Sequence, residues 1–563
     1  SSSSIFIRRS SIGKRKREKK SDSQQNNNNI KMNGTSNPHS ASATNSSNGT
    51  SNSSNGISPS SSSSHLHSDV ADKTNNVVVR TTEGWLELFL TTPEKYHFGH
   101  WNEYVKDKSL VHQMAHPVVA KLQTFVPVSL APNCLALFGF ASLAQVWYFT
   151  YSYGTVAPTA CTWMAVVAIV VFFLTNRTGH YHAVQTRQRT ALSELFQYSC
   201  DCASTVFLSI LTAWCLGVSN VESQWYAVQV SQLVLFLKHL SAFHRNAGLR
   251  YNVLTGPGEV LVTAVTLLAI RGTLGLDWVL TAYERVVDDL LEMAGNSSNR
   301  WVTHHANTRD ADKVGAEMIM VAYYSIYVVA VVKSLLLKHP HGWSRFGLSA
   351  SLLMRLVPAL LFRVENVPTT IGVADVICDG LFMAVLTSDI TLAKMAGREL
   401  HPWVVLMSFA ATMSHSTILT LVLTYYIAVF ADLCAYLNMP LLTTCRNVYC
   451  DGVYDLCHVG HKLLFQNALQ YGNRLFVGVV GDKDAMAYKR PPIMSHAERC
   501  AEVQACKAVT KVIPNAPCFG LTKEFLDFHQ IHVVAYGEEY LERYPDPNDD
   551  PYYKVPRLMG IAR

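Results

Sequence analysis

Between about residues 125 and 440 the chain repeats long apolar runs separated by short polar breaks: 132–151, 158–175, 203–220, 224–241, 257–275, 314–337, 347–363, 369–393 and 402–437. Each approaches the roughly 20 residues a helix needs to cross the hydrocarbon core of a bilayer. The last is long enough for two helices, or for one helix with an extension. Trp147, Tyr148, Tyr151, Trp225 and Tyr226 stand near run ends, where rings with one polar edge anchor at a membrane interface. So many runs with few or no charges predict a polytopic α-helical membrane domain rather than a large soluble helical core.

The pattern changes at Leu437-Asn438-Met439-Pro440, where proline cannot continue a helix. Beyond it, short β-type runs (Asn447–Cys450, Leu475–Val480, Lys511–Ile513 and His532–Ala535) alternate with amphipathic stretches at 459–471, 495–508 and 522–529. Strands alternating with helices predict βαβ units and a parallel sheet. At the other end, residues 1 to about 80 are rich in Ser and Asn and nearly devoid of aromatics, so they bury too little apolar surface to offset ordering entropy. The expected division is a disordered tail over 1–82, a membrane domain over 83–443 and an α/β domain over 444–563.

Composition agrees with a membrane segment set in a more polar chain: hydrophobic residues make up 49% and charged residues 16% of 563. The net charge of +6 draws in part on the run from Lys14 to Lys20. That run reads as a solvated basic patch rather than a contact to acidic lipid, and no nucleic-acid partner is expected. Thirteen cysteines without regular spacing predict reduced thiols and no metal site. The first residue is Ser rather than Met, which reads as a missing start.

The segment from Val448 to His461, Val-Tyr-Cys-Asp-Gly-Val-Tyr-Asp-Leu-Cys-His-Val-Gly-His, runs from a strand through a Gly-containing turn into a helix. Ligands of parallel sheets bind at the carboxyl ends of strands, and helix amino ends attract phosphate. His458 and His461, separated by Val459 and Gly460, could reach the same phosphates, and Gly460 would let a nucleotide approach closely. Alone, His-x-Gly-His could be two surface histidines or a metal pair. The strand before it and the helix after it favour phosphate. When a phosphate oxygen attacks the α-phosphorus of a nucleoside triphosphate, charge builds on that phosphate and on the leaving pyrophosphate, and fixed donors stabilise it. Lys489 could supply a mobile charge there and Arg499 a planar fork.

This region resembles the cytidylyltransferase family, which includes phosphocholine, phosphoethanolamine and glycerol-3-phosphate cytidylyltransferases. The resemblance runs through Asp451-Gly452-x-Tyr454-Asp455-Leu456, His458-x-Gly460-His461, Val477-Gly478-Val479-Val480, Asp482, Lys489, Glu498-Arg499 and Asn515-Ala516-Pro517. It implies a Rossmann-like fold and CTP as substrate with Mg²⁺. It further implies catalytic roles for His458, His461 and Lys489, and nucleotide-binding roles for Gly452, Asp455, Gly460, Asp482 and Arg499. A homodimer is an assembly it admits. The family's Arg-Thr-x-Gly-Ile-Ser-Thr signature is not reached before Arg563, so the sequence reads as a fragment at that end as well.

The second substrate would be a phosphorylated amino alcohol. Cys450-Asp451-Gly452 and Pro491-Pro492 look more like phosphoethanolamine enzymes, and Cys518 follows Pro517 where phosphocholine enzymes typically have Trp. Phe525-Leu526-Asp527 and His529-Gln530-Ile531 look more like the choline enzymes. Phosphoethanolamine is favoured and phosphocholine is the alternative.

The membrane domain resembles the choline and ethanolamine phosphotransferases through Ala131-Pro132-Asn133, the run from Leu192 to Asp201, and Ser204-Thr205-Val206-Phe207. That family's metal motif carries four Asp. The matching positions are Asn176, Gly179, Gln197 and Asp201, and its Arg position is Val184. One carboxylate holds divalent metal poorly, so the expectation is a phosphotransferase-like anchor without that catalysis, in contact with membrane lipid. The alternatives are a bifunctional enzyme that also transfers the phosphoamino alcohol to diacylglycerol, and a nucleotide sensor. The resemblance implies the endoplasmic reticulum membrane with the α/β domain in the cytosol.

Overall fold

The computed structural model describes residues 87–101, 106–218, 220–253, 256–279, 311–338, 341–361, 371–412, 414–488 and 490–563, with a few isolated positions between 281 and 289. The tail assigned to 1–82 and the start of the membrane domain at 83 lie outside the described residues.

The first part is helical: α1 (Thr92–Gly99), α2 (Leu110–Gln123), α3 (Pro132–Tyr153), α4 (Pro158–Gln185), α5 (Ala191–Cys215), α6 (Val221–Arg245), α7 (Pro257–Leu274), α8 (Ala311–Leu335), α9 (Gly342–Leu361), α10 (Val373–Ala396), α11 (Pro402–Ala410) and α12 (His415–Leu437). A two-residue parallel pair, β1 (Lys106–Asp107) with β2 (Arg250–Tyr251), ties the segment before α2 to the segment before α7. Proline stands in the first turn of α3, α4, α7 and α11, where its missing N–H costs nothing. The expected run 402–437 is two helices, broken at 411–414, and Ser414 caps the second by accepting from the Thr417 amide.

Among the described residues, six helices are long and apolar enough to cross a membrane: α3, α4, α7, α8 over Ala316–Leu335, α10 and α12. The other expected spans are helices with more polar sequences. The clearest departure is α5, which begins at Ala191 rather than near 203. Its first half carries Glu194, Gln197 and Asp201, which a search for apolar runs passes over. Thr190 accepts from the Ser193 amide and starts the helix there.

Helix α10 is the centre of the helical core. It carries two buried carboxylates, each met by a cation: Asp379 with Arg355 of α9 at 2.9 Å, and Asp389 with Arg398, just past the end of α10, at 2.6 Å. Trp225 donates to Asp379, and Tyr425 donates to Asp389. Lys95 and Asp432 form a third buried pair at 2.8 Å. Charges in such surroundings persist only when paired and hydrogen-bonded.

The second part alternates strand and helix: β3 (Asn447–Gly452), α13 (Val459–Leu469), β4 (Arg474–Val480), α14 (Asp482–Tyr488), α15 (His496–Gln504), β5 (Lys511–Ala516), α16 (Lys523–Phe528), β6 (Val533–Val534), α17 (Glu538–Arg543) and α18 (Lys554–Leu558). All pairings among β3 to β6 are parallel, and the spatial order is β5-β4-β3-β6. The apolar runs are continuous because the sheet is covered on both faces. Val448, Cys450, Leu475, Val477 and Val479 pack with Phe465 of α13 and Val503 of α15. Tyr449, Phe476 and Val534 pack with Leu526 of α16 and Tyr553 on the other face. Full burial of each such Val or Leu contributes roughly 1.5–3 kcal/mol.

The two parts meet at the amino end of the sheet. The loop between α4 and α5 lies against residues 527–532. Arg187 donates to Ile531 O at 2.8 Å and pairs with Asp527 at 2.7 Å, while Gln530 donates to Arg189 O. Arg187 and Gln530 both have positive φ, 54° and 52°. His532 bridges the seam: its Nδ1 accepts from the Asn447 amide at 3.0 Å, which leaves Nε2–H to donate to Thr186 O at 2.9 Å.

Candidate active site

In the order β5-β4-β3-β6 the chain winds outward from β3 to β5 and then returns to lay β6 on the other side of β3. The carboxyl end of β3 is therefore the point where strand order reverses, the usual place for a ligand crevice in a doubly wound sheet. Asp451 and Gly452 end β3 there, and the amino end of α13 follows six residues later.

His458 is the N-cap of α13. Its Nδ1 accepts from the Gly460 amide at 3.1 Å, so the neutral ring carries its proton on Nε2. The His458 and His461 rings stack at 4.0 Å between centroids with 23° between planes, and the edge of Tyr454 meets His461 at 5.2 Å. A Cβ at Gly460 would lie 3.0 Å from the His458 ring, and one at Gly452 would lie 2.9 Å from the Tyr454 ring. The glycines thus let the two aromatic side chains fold back over the motif.

The turn from Val453 to Cys457 passes through left-handed backbone at Tyr454 and Leu456, φ 53° and 49°. Asp455 leaves this turn to accept from the Ile493 and Met494 amides at 2.9 and 3.0 Å. Those two bonds hold its carboxyl below the usual range and fasten the stretch after residue 489 to the histidine motif. Lys489 itself lies outside the described residues.

Arg499, expected to present a planar fork to the nucleotide, lies in the interior. It is fully buried, and its terminal nitrogens donate to Val453 O at 2.5 Å, Val480 O at 2.9 Å and Asp482 Oδ1 at 2.6 Å. It binds the ends of β3 and β4 and the start of α14 together. A Glu-Arg pair early in a helix reads from sequence as solvated charge. Here the capping box of α15, Ser495 with Glu498, turns Arg499 inward. Asp482 is thereby oriented by Arg499 and remains partly exposed.

Beside the motif is a cluster that the sequence alone does not mark. Tyr553 donates to Asp451 at 2.6 Å. Tyr536 and Tyr540 pack on Tyr553 at 5.1 and 5.0 Å, and Tyr552 packs on Tyr540 at 5.3 Å. Asp550 fixes the turn by accepting from the Tyr552 and Tyr553 amides, both at 2.9 Å, and pairs with Arg557. Loss of water around Asp451 pushes its carboxyl up to about 6. The sequence signal was slight: Asp451 lay inside the motif, but the tyrosines lie some 85 to 100 residues further on.

Residues 449–558 match the family model described as Cytidylyltransferase-like. The C-terminal segment thus resembles the cytidylyltransferases. It is similar to the ethanolamine-phosphate cytidylyltransferase of Dictyostelium discoideum, 39% identical over 118 residues, which is 21% of this chain and 32% of that protein. The mouse ethanolamine-phosphate enzyme is 39% identical over 92 residues, 16% of this chain and 22% of that protein. The choline-phosphate cytidylyltransferase of Saccharomyces cerevisiae is 36% identical over 125 residues, 22% of this chain and 28% of that protein. The chain thus spans about a third or less of the length of these relatives, and the helical part lies outside the residues that the family model matches.

Within the helical part, three of the positions singled out in α4 and α5 do meet. Asn176 donates to Asp201 at 2.5 Å, and Gln197 donates to the Asn176 carbonyl oxygen. Gly179 packs against the start of α3, where an added Cβ would lie 3.2 Å from Pro132 O. Val184 is half-exposed. Among the described residues no group of three or more His, Cys, Asp or Glu could hold a metal ion.

Proposed function

We propose that the cytidylyltransferase-like domain joins CTP to a phosphorylated amino alcohol with release of pyrophosphate, phosphoethanolamine being the preferred acceptor and phosphocholine the alternative. One observation carries this reading: two stacked histidines at the amino end of α13, with an outward Nε2–H on His458, beside the strand-order reversal of a parallel sheet. An acceptor phosphate oxygen attacks the α-phosphorus in line with the departing pyrophosphate. His458 and His461 donate to the oxygens on which charge accumulates. Lys489 carries a further charge on a stretch that Asp455 fastens to the motif, and Asp482, set by Arg499, borders the nucleotide. Mg²⁺ enters as the CTP complex.

The amine end of the acceptor fits the Asp451 cluster. A carboxylate beside half-buried tyrosine rings attracts a cation both by charge and by the faces of the rings. A primary ammonium also needs hydrogen-bond acceptors, which Asp451 supplies and a quaternary ammonium would not use. This point, with Cys518 after Pro517, supports ethanolamine.

The six long apolar helices support a membrane anchor, and the amide-filled network at Asn176 and Gln197 supports a phosphotransferase-like scaffold without its metal chemistry. We place the anchor in the endoplasmic reticulum with the cytidylyltransferase-like domain in the cytosol. In the test, membranes carrying the full-length protein are washed with alkaline carbonate and then given CTP, Mg²⁺ and phosphoethanolamine. The expected result is CDP-ethanolamine made by the washed membranes, with protease removing the activity from sealed vesicles. His461→Ala should lower kcat by about 10²–10³-fold, the usual effect of losing one donor to developing charge. Unchanged turnover in that variant, or active protein released by the wash, would overturn the corresponding half of the reading.

A further inference from the structure

Two thiols lie against the histidine motif and take no part in the proposed transfer. Cys457 immediately precedes His458, and its Sγ is 4.0 Å from Cys506 Sγ at the foot of α15. Both cysteines are half-buried rather than sealed in the core. Cys506 also donates to Glu502 O at 3.3 Å, which keeps its thiol at the end of the helix. The motif turn is thus fastened to α15 at two places. Arg499 grips Val453 O at one end, and Cys506 meets Cys457 at the other. Between them the backbone is already left-handed at Tyr454 and Leu456 and has little freedom to absorb a displacement.

We propose that Cys457 and Cys506 are a thiol pair that closes reversibly into a disulfide and arrests the His458 turn. The oxidant is a low-molecular-weight disulfide. One protein thiolate attacks it, a mixed disulfide forms and one small thiolate leaves. The second protein thiolate then attacks the mixed disulfide at the protein sulfur and expels the other. Two protein thiols and one small disulfide become one protein disulfide and two small thiols. Burial, with Cys506 beside it, pushes the Cys457 thiol up to about 11, so little of it is thiolate at neutral pH and closure is slow. Disulfides in reducing compartments are usually transient and redox-sensing.

Closure shortens the sulfur separation from 4.0 Å to about 2 Å, the length of the covalent bond. Arg499 holds Val453, so the movement falls on Cys457 and on the next residue, His458, whose ring must keep its place between Gly460 and His461. A misplacement of about 1 Å at a reacting site costs about 10²-fold in rate.

The effect on turnover rests on the proposed cytidylyl transfer, whereas the linkage and the movement of the turn are measured without it. Full-length protein is incubated with oxidised glutathione, digested without reduction and mapped by mass, while amide exchange is followed over 453–461 and CDP-ethanolamine formation is assayed. The expected result is a linked peptide containing Cys457 and Cys506, altered exchange over 453–461, and a turnover about 10²-fold lower that dithiothreitol restores. Cys506→Ser should keep the reduced activity and show none of these changes. Exhaustive oxidation without that linked peptide, or linkage with exchange and turnover unchanged, overturns the proposal. Protein inactive in both redox states but still linked and altered in exchange would remove the transfer reading and leave the thiol pair standing.

Discussion

Asp451 is under opposite demands from folding and from function. Burial raises its pKa from 3.8 to about 6. Between those values the folded state holds a proton that the unfolded chain has released, so stability falls as pH rises through that window. Pairing with an ammonium requires the ionised form, so kcat/KM for the amino alcohol should fall as pH drops below about 6. Asp451→Asn should flatten this acid limb, lower kcat/KM by roughly 10- to 100-fold as expected for a lost charged hydrogen bond, and raise the Tm near neutral pH because a buried charge is gone. An acid limb that persists in the variant would remove Asp451 from the amine site. The histidine pair was legible in sequence because its spacing, with a strand before and a helix after, is local information. The burial of Arg499 and the tyrosines around Asp451 were not legible because both depend on tertiary placement. A buried guanidinium looks like a surface one until the carbonyls of Val453 and Val480 are known to converge on it.

At the scale of elements, the strands were legible because each is a short apolar run covered on both faces, and the helices between them carry one apolar stripe. The first half of α5 was not, since a helix that buries Glu194 and hydrogen-bonds Gln197 and Asp201 internally has no apolar signature there. Nor was the seam at the amino end of the sheet, much of which is built on backbone carbonyls. That seam should be acid-sensitive. Burial lowers the His532 pKa below 6.5, with Arg187, Arg446 and Arg474 opposing a further charge; the nearby carboxylate of Asp527 pairs with Arg187. A lowered folded pKa means that the contact is complete above about 6.5 and weakens as pH falls toward the folded value. Protonation would also place a second N–H against the Asn447 amide, where Nδ1 now accepts. Amide exchange at Thr186 to Arg189 and at Ile531 should therefore rise as pH is lowered from 7 to 5, after correction for the intrinsic pH dependence of exchange. His532→Ala should show fast exchange at both values. Protection in the wild type that does not change with pH would sink this account.

For the whole molecule, the question is whether the helical part still does chemistry. Its apolar helices follow from the sequence pattern, and the phosphotransferase-like scaffold we propose would put Asn176, Gly179, Gln197 and Asp201 where that family carries four carboxylates. The structure brings Asn176, Gln197 and Asp201 into one hydrogen-bonded chain, in which an amide already occupies an oxygen of the remaining carboxylate. A divalent ion needs several charged oxygens to give up its water. One carboxylate sharing an oxygen with an amide offers too few, so neither a pyrophosphate nor a hydroxyl acceptor would be activated there in the way that family requires. The helices need no carboxylates there to pack, because packing between apolar helices rests on close contacts such as Gly179 against the start of α3. Purified full-length protein in lipid, given diacylglycerol, Mg²⁺ or Mn²⁺ and CDP-ethanolamine labelled in the head group, should therefore place no label in lipid and release no CMP. Under the same conditions it should still make CDP-ethanolamine from CTP. Label entering lipid in the wild type but not in Asp201→Ala would mean that this network binds metal after all, and that the chain carries out two successive steps.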